Sequence, residues 1–535
     1  MGRVLEKEWI VLTLLFIWGL FVYYQHLGTP LRGDEGRYAA ITRHILRIGD
    51  WLRLVYEGQD YLNKPPLHFW QIALSQFVWG TNEFAIRFPA ATFGLATMLL
   101  VYYCGRSLFH RRMGLMAALI MTTTIAAVWH AHKARFDTAF GFWINLAFFA
   151  LFQTYRGGGR RLGYLGLAVL SMSVGTMLKG PVAILMPGVG AVAFLLITRR
   201  SRILKEIPFL IAGLAICVLI TGPYYLLLGS SFDRHFLISE NLSRVYVSDK
   251  PVLFYCYMIF ADFFPWSLFL PCAAWYLWIT RSHHLGDEEL LLRVWFISFF
   301  AFLNVPMGKG ERYLVLLIPS FALLIARYWD HLFGASEAPR VGEARLLRFT
   351  AIFLATGALV ALFVGPRIIQ MRYHISDLWP AAFTVLIGIG CVAVWYTAVR
   401  QRPRVVFFSA LALAMTLTVG LVQYFYPALD RYESGKAIAQ QVRAVVGDSP
   451  LVIYDPNSWF HEDILYYLDR PSPVPQLLTP EEVHAAFATD RQVFGLFAKS
   501  QYEELQRHGG LPLVRLADYS HRRRDFVLVK NRTPL

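Results

Sequence analysis

Long runs of apolar residues, separated by short polar loops, recur along the chain from Trp9 to about Phe425. Most runs are roughly 17 to 25 residues long, which lets a helix cross a hydrocarbon core about 30 Å thick. Only helices and closed barrels satisfy backbone hydrogen bonds in lipid, and the alternating pattern of a barrel is not seen. The pattern therefore predicts an all-α polytopic membrane domain over residues 1–425.

We predict about thirteen spans. They lie near residues 9–24, 83–105, 112–131, 138–155, 162–178, 181–198, 207–228, 254–280, 290–305, 313–329, 349–364, 380–398 and 405–425. Basic loops recur near Arg106, Arg156, Arg199, Arg281 and Arg400, and loops rich in Lys and Arg stay in the cytoplasm. This rule predicts an inside N-terminus, and the odd number of spans then places the C-terminus outside.

Two outer loops follow from this topology, at residues 28–82 and 229–253. The first contains a helical pattern from Gly36 to Leu52 with apolar and basic residues on opposite faces, typical of a helix along the membrane surface. The apolar stretch from Pro66 to Gly80 is short for a span, so we predict a helix at the outer interface or a re-entrant one.

Beyond Tyr426 the pattern changes to short helices alternating with short β-rich runs. Helices are predicted at residues 433–446, 480–488 and 500–508, and strands start near Leu451, Val493 and Asp525. The alternation predicts a small soluble α/β domain over residues 426–535 on the outer side.

Composition supports a membrane protein, because 56% of the residues are hydrophobic and only 16% are charged. The mean hydropathy is +0.44. A net charge of +15 is also typical of nucleic-acid-binding proteins, but the cytoplasmic basic loops account for it. Nucleic acid is therefore not expected as a partner.

Several cations break the charge rule, since the topology puts them at outer span ends or in outer loops. Cations there are disfavoured, and several of them converging on one anion would explain their presence. A lysine followed by Gly or Pro suits a phosphate site, although a single lysine can also be an anchor at the lipid headgroups. The set is Lys64, Lys133, Arg135, Lys179, Arg244, Lys309 and Arg312.

Carboxylates share the predicted outer face. Asp34 and Glu35 in "LRGDEGRYA" precede the surface helix, and Asp137 in "HKARFDTAF" opens the fourth span. Capping of a helix N-terminus is the alternative interpretation of Asp34 and Asp137. Two carboxylates beside a basic cluster are the combination expected for transfer between an anionic lipid carrier and an acceptor.

Taken in order, these motifs resemble a known superfamily. "DEGRYA", "KPPLHFW", "EFAIRFPAA", the Asp that opens the fourth span, "KG" and "GKGERYLVLLIP" are similar to the bacterial aminoarabinose transferase and protein O-mannosyltransferase superfamily. The resemblance implies a GT-C fold glycosyltransferase that moves a sugar from a polyprenyl phosphate carrier at the periplasmic face of the inner membrane. Thirteen spans with a periplasmic C-terminal domain look most like the lipid A aminoarabinose transferase branch.

The resemblance also implies residue roles. Asp34 matches the catalytic acidic residue and Asp137 the second acidic residue of the site. Glu35 either favours the helix N-terminus or lines the sugar pocket. The residues that match carrier-phosphate ligands are Lys64, Arg244 and Tyr313, with Lys179 and Lys309 as further matches.

The superfamily site can hold a divalent metal, so zinc, magnesium or manganese is a candidate cofactor with Asp34 and Asp137 as candidate ligands. Some relatives carry an acidic residue before the KPP lysine, where this chain has Asn63, a poor zinc ligand.

The function predicted is transfer of 4-amino-4-deoxy-L-arabinose from undecaprenyl phosphate to lipid A. Transfer of another sugar to protein, O-antigen or a different glycolipid is the alternative. A transporter or flippase for lipid-linked saccharides is the alternative from another class, although the two related halves typical of transporters are not seen.

Overall fold

The computed structural model describes residues 8–198, 203–233, 250–279, 286–306, 308–334, 340–373, 380–455, 462–507, 511–521 and 524–532. The helices up to residue 420, numbered in chain order, are α1 (Glu8–Tyr24), α2 (Asp34–Ile48), α3 (Leu67–Trp79), α4 (Glu83–Leu108), α5 (Arg111–Thr122), α6 (Ile125–Ala131), α7 (Phe136–Arg156), α8 (Arg161–Lys179), α9 (Val182–Thr198), α10 (Ile203–Asp233), α11 (Phe254–Asp262), α12 (Leu270–Ala274), α13 (Asp287–Asn304), α14 (Ile318–Gly334), α15 (Val341–Tyr373), α16 (Ala381–Val399) and α17 (Pro403–Gly420). Each predicted span coincides with one of these helices or with a bent pair of them.

The helices form a multi-pass membrane protein. Among the described residues, 7 helices are long and apolar enough to cross a membrane, or up to 9 if each of two bent pairs is one span. The bent pairs are α5 with α6, at 65°, and α11 with residues 266–277, at 118°. The shorter apolar helices α1, α9 and the middle of α10 match three further predicted spans. The predicted all-α polytopic fold is confirmed.

The short apolar stretch near residue 70 forms α3, a helix of 13 residues. One face packs against α2 and α4 and buries Phe69 and Ile72. The opposite face exposes Phe77 and Val78. A helix that is too short to cross lipid and exposes one apolar face suits the membrane interface.

A small α/β domain with a mixed sheet follows the helices, as predicted. Its strands are β3 (Leu451–Tyr454), β4 (Gln476–Leu477), β5 (Phe494–Ala498), β6 (Leu513–His521) and β7 (Arg524–Asn531), after a short hairpin of β1 (Val55–Tyr56) and β2 (Gln59–Asp60) in the first loop. The strand order is β4-β3-β5-β7-β6, with β3 parallel to β4 and β5, and β7 antiparallel to β5 and β6. Its helices are α18 (Tyr426–Glu433), α19 (Lys436–Val446), α20 (Glu462–Leu468), α21 (Pro480–Phe487) and α22 (Lys499–Arg507).

The helix bundle has two chemically different ends. At one end, ion pairs join the last turn of α4 to α1, through Arg106 and Glu8 at 2.7 Å, and the start of α5 to α14, through Arg112 and Asp330 at 2.8 Å. At the opposite end the sheet domain packs against the start of α4, where Lys436 and Glu83 pair at 2.7 Å. We call this second end the domain end.

Helix α2 lies between the bundle and the sheet domain. Its apolar side chains Tyr38, Ile41 and Ile45 are buried together with residues of α3. On the other face, a Cβ added at Gly36 would lie 2.5 Å from Cα of Asp463 in α20. The glycine of the "DEGRYA" motif therefore permits a close approach of two helices that any larger residue would prevent.

A buried ion-pair network ties the first loop, α4 and α18 together. The Arg87 guanidinium donates to both carboxylate oxygens of Glu35 at 2.8 Å and lies 3.2 Å from Asp430. Arg32 pairs with Asp430 at 2.9 Å and with Glu433 at 2.8 Å. Both Arg87 and Glu35 are only 1% exposed, so neither charge is solvated by water.

Replacing Arg87 by leucine leaves the Glu35 charge buried without its main partner. Breaking a buried pair in this way costs about 3–5 kcal/mol, so we expect a clearly lower melting temperature in thermal unfolding of the detergent-solubilised protein. Arg53→Leu is the matched control, because the Arg53 and Asp60 pair is exposed and contributes at most about 1 kcal/mol. Equal melting temperatures for the two variants would contradict a stabilising role for this network.

Candidate active site

The site is organised around the loop that joins α6 to α7 at the domain end. Glu35 Oε1 accepts a hydrogen bond of 2.8 Å from the backbone N–H of Ala134 and so holds the middle of this loop. Burial raises the pKa of Glu35, but the Arg87 guanidinium and the Ala134 hydrogen bond outweigh it and lower the pKa to about 2. The Glu35 carboxylate is therefore ionised and fully engaged, and it positions the loop.

Asp34, next to Glu35, points to the other side and pairs with Arg135 of the same loop. The Arg135 guanidinium lies 2.9 Å from Oδ2 and 3.0 Å from Oδ1 of Asp34, a bidentate arrangement. Burial lowers the pKa of Arg135, but the negative charge of Asp34 reverses the effect and raises it. Both side chains keep partial contact with solvent, at 17% and 19% exposure, so a substrate can reach them.

Asp137, one residue after the start of α7, forms a second pair with Lys179 at the end of α8. Lys179 Nζ donates to Asp137 Oδ1 at 2.7 Å and lies 4.3 Å from the ring centroid of Tyr313. The guanidinium of Arg312 stacks over the same Tyr313 ring at 5.5 Å and acts electrostatically on Asp137. Asp137 Oδ2 is buried and has no hydrogen-bond partner among the described residues. An acceptor is thus left ready for a donor from a ligand.

Both Asp34 and Asp137 act electrostatically on His68, a residue for which no role was predicted. It lies in α3, just after the Lys-Pro-Pro turn, and packs edge-on against Tyr38 and Phe136. Its Nε2 atom lies 3.3 Å from the carbonyl oxygen of Ala134. Burial lowers its pKa to about 4, so the imidazole is neutral near pH 7. The only signal was its position in the "NKPPLHFW" motif.

The other predicted site residues have different positions. Lys64 donates to the backbone carbonyl of Asn63 at 2.8 Å. Lys309 donates to the carbonyl of Val252 at 2.7 Å and so holds the chain just before α11. Arg244, in the second outer loop, lies outside the described residues. Glu35 is buried in the ion-pair network and has no free carboxylate oxygen to line a sugar pocket.

The residues at the site do not fit a zinc centre. Both oxygens of Asp34 accept from Arg135, and Asp137 Oδ1 accepts from Lys179. Within the described ranges no group of three or more His, Cys, Asp and Glu side chains is arranged to hold a metal ion. Asn63 also replaces a carboxylate with a neutral amide, which zinc binds poorly.

We expect Asp137→Asn and Lys179→Met to be energetically coupled, because each change removes the partner of a largely buried charge. Each single variant should unfold at a lower temperature than the wild type. The double variant should lose less unfolding free energy than the two single variants lose together, with a coupling energy of about 0.5–3 kcal/mol. Thermal unfolding of the four proteins measures this cycle. Strictly additive losses would show that the 2.7 Å contact contributes nothing to stability.

Comparisons with known proteins found a matching family model and related transferases. A family model described as dolichyl-phosphate-mannose-protein mannosyltransferase matches residues 63–225. Undecaprenyl phosphate-alpha-4-amino-4-deoxy-L-arabinose arabinosyl transferase 1 of Pseudomonas fluorescens is 26% identical over 74% of this chain and 69% of its own length. The transferase of that name from Pseudomonas aeruginosa is 29% identical over 67% of this chain and 65% of its own length.

A solved structure has the same fold along the whole chain. The crystal structure of ArnT from Cupriavidus metallidurans bound to undecaprenyl phosphate superposes with a TM-score of 0.75 and covers 99% of this chain and 98% of its own, at 20% sequence identity. The chain is therefore a multi-pass membrane protein that has the fold of the solved ArnT structure and is similar in sequence to the aminoarabinose transferases.

Proposed function

We propose that this chain transfers a sugar from undecaprenyl phosphate to lipid A, and that the sugar is 4-amino-4-deoxy-L-arabinose. The names of the curated relatives and the ligand of the solved structure support the carrier and the sugar. The observation that carries the proposal is the site at the domain end, where two carboxylates are each paired with a cation, beside aromatic rings.

The reaction is a displacement at the anomeric carbon. The bond from this carbon to the carrier phosphate oxygen breaks, a bond to the acceptor oxygen forms, and the phosphate leaves with the bonding electron pair. We assign four residues to the leaving phosphate. Lys179 and Arg312 both stack on the ring of Tyr313, which is the third, and Lys64 comes from the first loop. Positive groups placed where charge develops lower the barrier of such a step.

Asp34 is assigned to the reacting sugar or its acceptor. A hydroxyl acceptor needs a general base to take its proton, whereas a lipid A phosphate is already an anion and needs only positioning. In the second case the Asp34 carboxylate suits the ammonium group of an amino sugar, as a charge-assisted hydrogen-bond acceptor. Arg135 fixes the orientation of this carboxylate in either case.

The location proposed is the bacterial inner membrane, with the site and the sheet domain on the periplasmic side. The basic loops near Arg106 and Arg156 lie at the end of the bundle away from the sheet domain, which is the expected cytoplasmic end. Lipid A and the carrier lipid would both reach the domain end from the outer leaflet.

Replacing Asp34 by alanine should lower sugar transfer by roughly 100-fold or more, since the site loses its reactive or positioning carboxylate. The measurement incubates purified protein with lipid A and radiolabelled undecaprenyl phosphate aminoarabinose and counts label in the product. Asp448→Ala, at an exposed position of the sheet domain, is the control and should leave the rate unchanged. Label appearing only in protein, O-antigen or another glycolipid would identify the alternative acceptor. No transfer by the wild type to any acceptor from several carrier-linked sugars would contradict the proposed function.

Lys64→Ala should weaken binding of undecaprenyl phosphate by roughly 10-fold or more, because a charge-assisted hydrogen bond to the phosphate is lost. Equilibrium binding of labelled undecaprenyl phosphate to the detergent-solubilised protein measures the effect. Arg53→Ala removes a positive charge from the same loop at an exposed position and is the matched control. Equal affinities of both variants and the wild type would remove Lys64 from the carrier site.

A further inference from the structure

Lys133 is a cation of the α6 to α7 loop that has no assigned role in the site. Its ammonium lies 3.8 Å from the ring centroid of Trp129, one turn back along the chain. Among the residues that the structure describes, its side chain makes no ion pair within 4.0 Å and no hydrogen bond. An ammonium stacked on an aromatic ring inside the site is not an anchor that extends to the lipid headgroups.

The neighbouring cations have carboxylate partners, and among the described residues Lys133 has none. The guanidinium of Arg32 stacks on the same Trp129 ring, at 4.6 Å, but it also pairs with Asp430 and Glu433. Arg135, two residues along the loop, pairs with Asp34. Lys133 stacks on the same ring as Arg32 and lies in the same loop as Arg135, but within the described part of the chain it lacks the carboxylate partner that both of them have.

The charges around Lys133 do not compensate its own. Burial, together with the positive charges of Arg32 and Arg135, holds the pKa of the Lys133 ammonium well below its usual range, and the more weakly acting Glu35 and Asp34 do not offset this. A partly buried lysine that feels the positive charges of two guanidinium groups is stabilised by a bound anion. The backbone keeps it in place nonetheless, because Glu35 fixes Ala134 and His68 contacts the same residue.

The position of Lys133 separates it from the cations assigned to the carrier phosphate. Lys179 and Arg312 both stack on the Tyr313 ring, whereas Lys133 stacks with Arg32 on the Trp129 ring. The two aromatic rings therefore carry two different groups of cations. A transfer from one phosphate to another requires two anion-binding groups, one for the leaving phosphate and one for the attacking anion.

We propose that Lys133 binds the anionic group of the acceptor, opposite the leaving phosphate and beside Asp34. The inference rests on the proposed transfer reaction and adds a binding residue to it. Lys133 forms a charge-assisted hydrogen bond to the acceptor phosphate, and Trp129 holds the ammonium in place before the acceptor arrives.

The test compares Lys133→Met, Lys133→Gln and Lys133→Arg with the wild type. Transfer rates are measured over a range of lipid A concentrations at saturating carrier-linked sugar, and the affinities for undecaprenyl phosphate and for lipid A are measured separately. The Met and Gln variants should raise the KM for lipid A and weaken lipid A binding by roughly 10- to 100-fold, with carrier affinity unchanged. Lys133→Arg should recover most of the loss, because it restores the charge. Arg443→Met, at an exposed position of α19, is the matched loss of one positive charge.

Dephosphorylated lipid A provides the second comparison, since its weaker binding should not depend on Lys133. An unchanged KM and an unchanged lipid A affinity in the Met and Gln variants would overturn the proposal. Weaker carrier binding in a variant that stays folded would place Lys133 at the carrier phosphate and would also overturn it. The binding measurements test the role of Lys133 even if the protein transfers no sugar. A wild type that binds lipid A through Lys133 but transfers no sugar would contradict the proposed function and leave the role of Lys133 in acceptor binding intact.

Discussion

The buried contact between Arg87 and Glu35 is the interaction on which the rest of the site depends. Taking a guanidinium and a carboxylate out of water is unfavourable, and only the bidentate geometry, with further hydrogen bonds from Arg32 and Ala134, makes the pair stable. The same carboxylate fixes the α6 to α7 loop, which carries Lys133 and Arg135 and leads into Asp137. One ion pair thus holds α2, α4 and the loop into α7 together, and with them Asp34 and Asp137.

This arrangement explains cations that membrane insertion disfavours. Arg135 and Lys179 are each held by a carboxylate, and Arg312 and Lys179 stack on Tyr313, so their charges are compensated before any substrate binds. Compensation has a chemical consequence, because groups already held in position need little rearrangement when phosphate charge develops.

The spans were predictable from the sequence because each apolar run must satisfy its backbone internally, whatever it packs against. Asp34 and Asp137 could be proposed as catalytic candidates because carboxylates at span ends stand out in an apolar chain, and their catalytic role stays a prediction. Pairings between distant residues were not predictable: Glu35 and Arg87 are 52 positions apart, and Arg87 appeared only as part of a motif. Glu35 was interpreted as a helix-end or sugar-pocket residue for that reason. Strand β6 was missed because "LVRLADYSH" carries charges on a partly exposed edge strand, and its assignment depends on pairing with β7.

The sheet domain contributes to the site although none of its described residues reaches the substrate groups. Asp430 and Glu433 hold Arg32, and Asp430 also contacts Arg87, so α18 supports the loop that leads into Asp34 at the start of α2. Gly36 then lets α20 approach α2 closely enough for Arg37 and Glu462 to meet at 3.4 Å. A boundary drawn at residue 426 by composition therefore separates segments that depend on each other. Asp430 and Glu433 of α18 are the carboxylate partners of Arg32, and Asp430 is a second partner of Arg87 beside Glu35. The bundle alone would leave the Arg32 guanidinium without these partners, so the loop before α2 and the sheet domain have to form together.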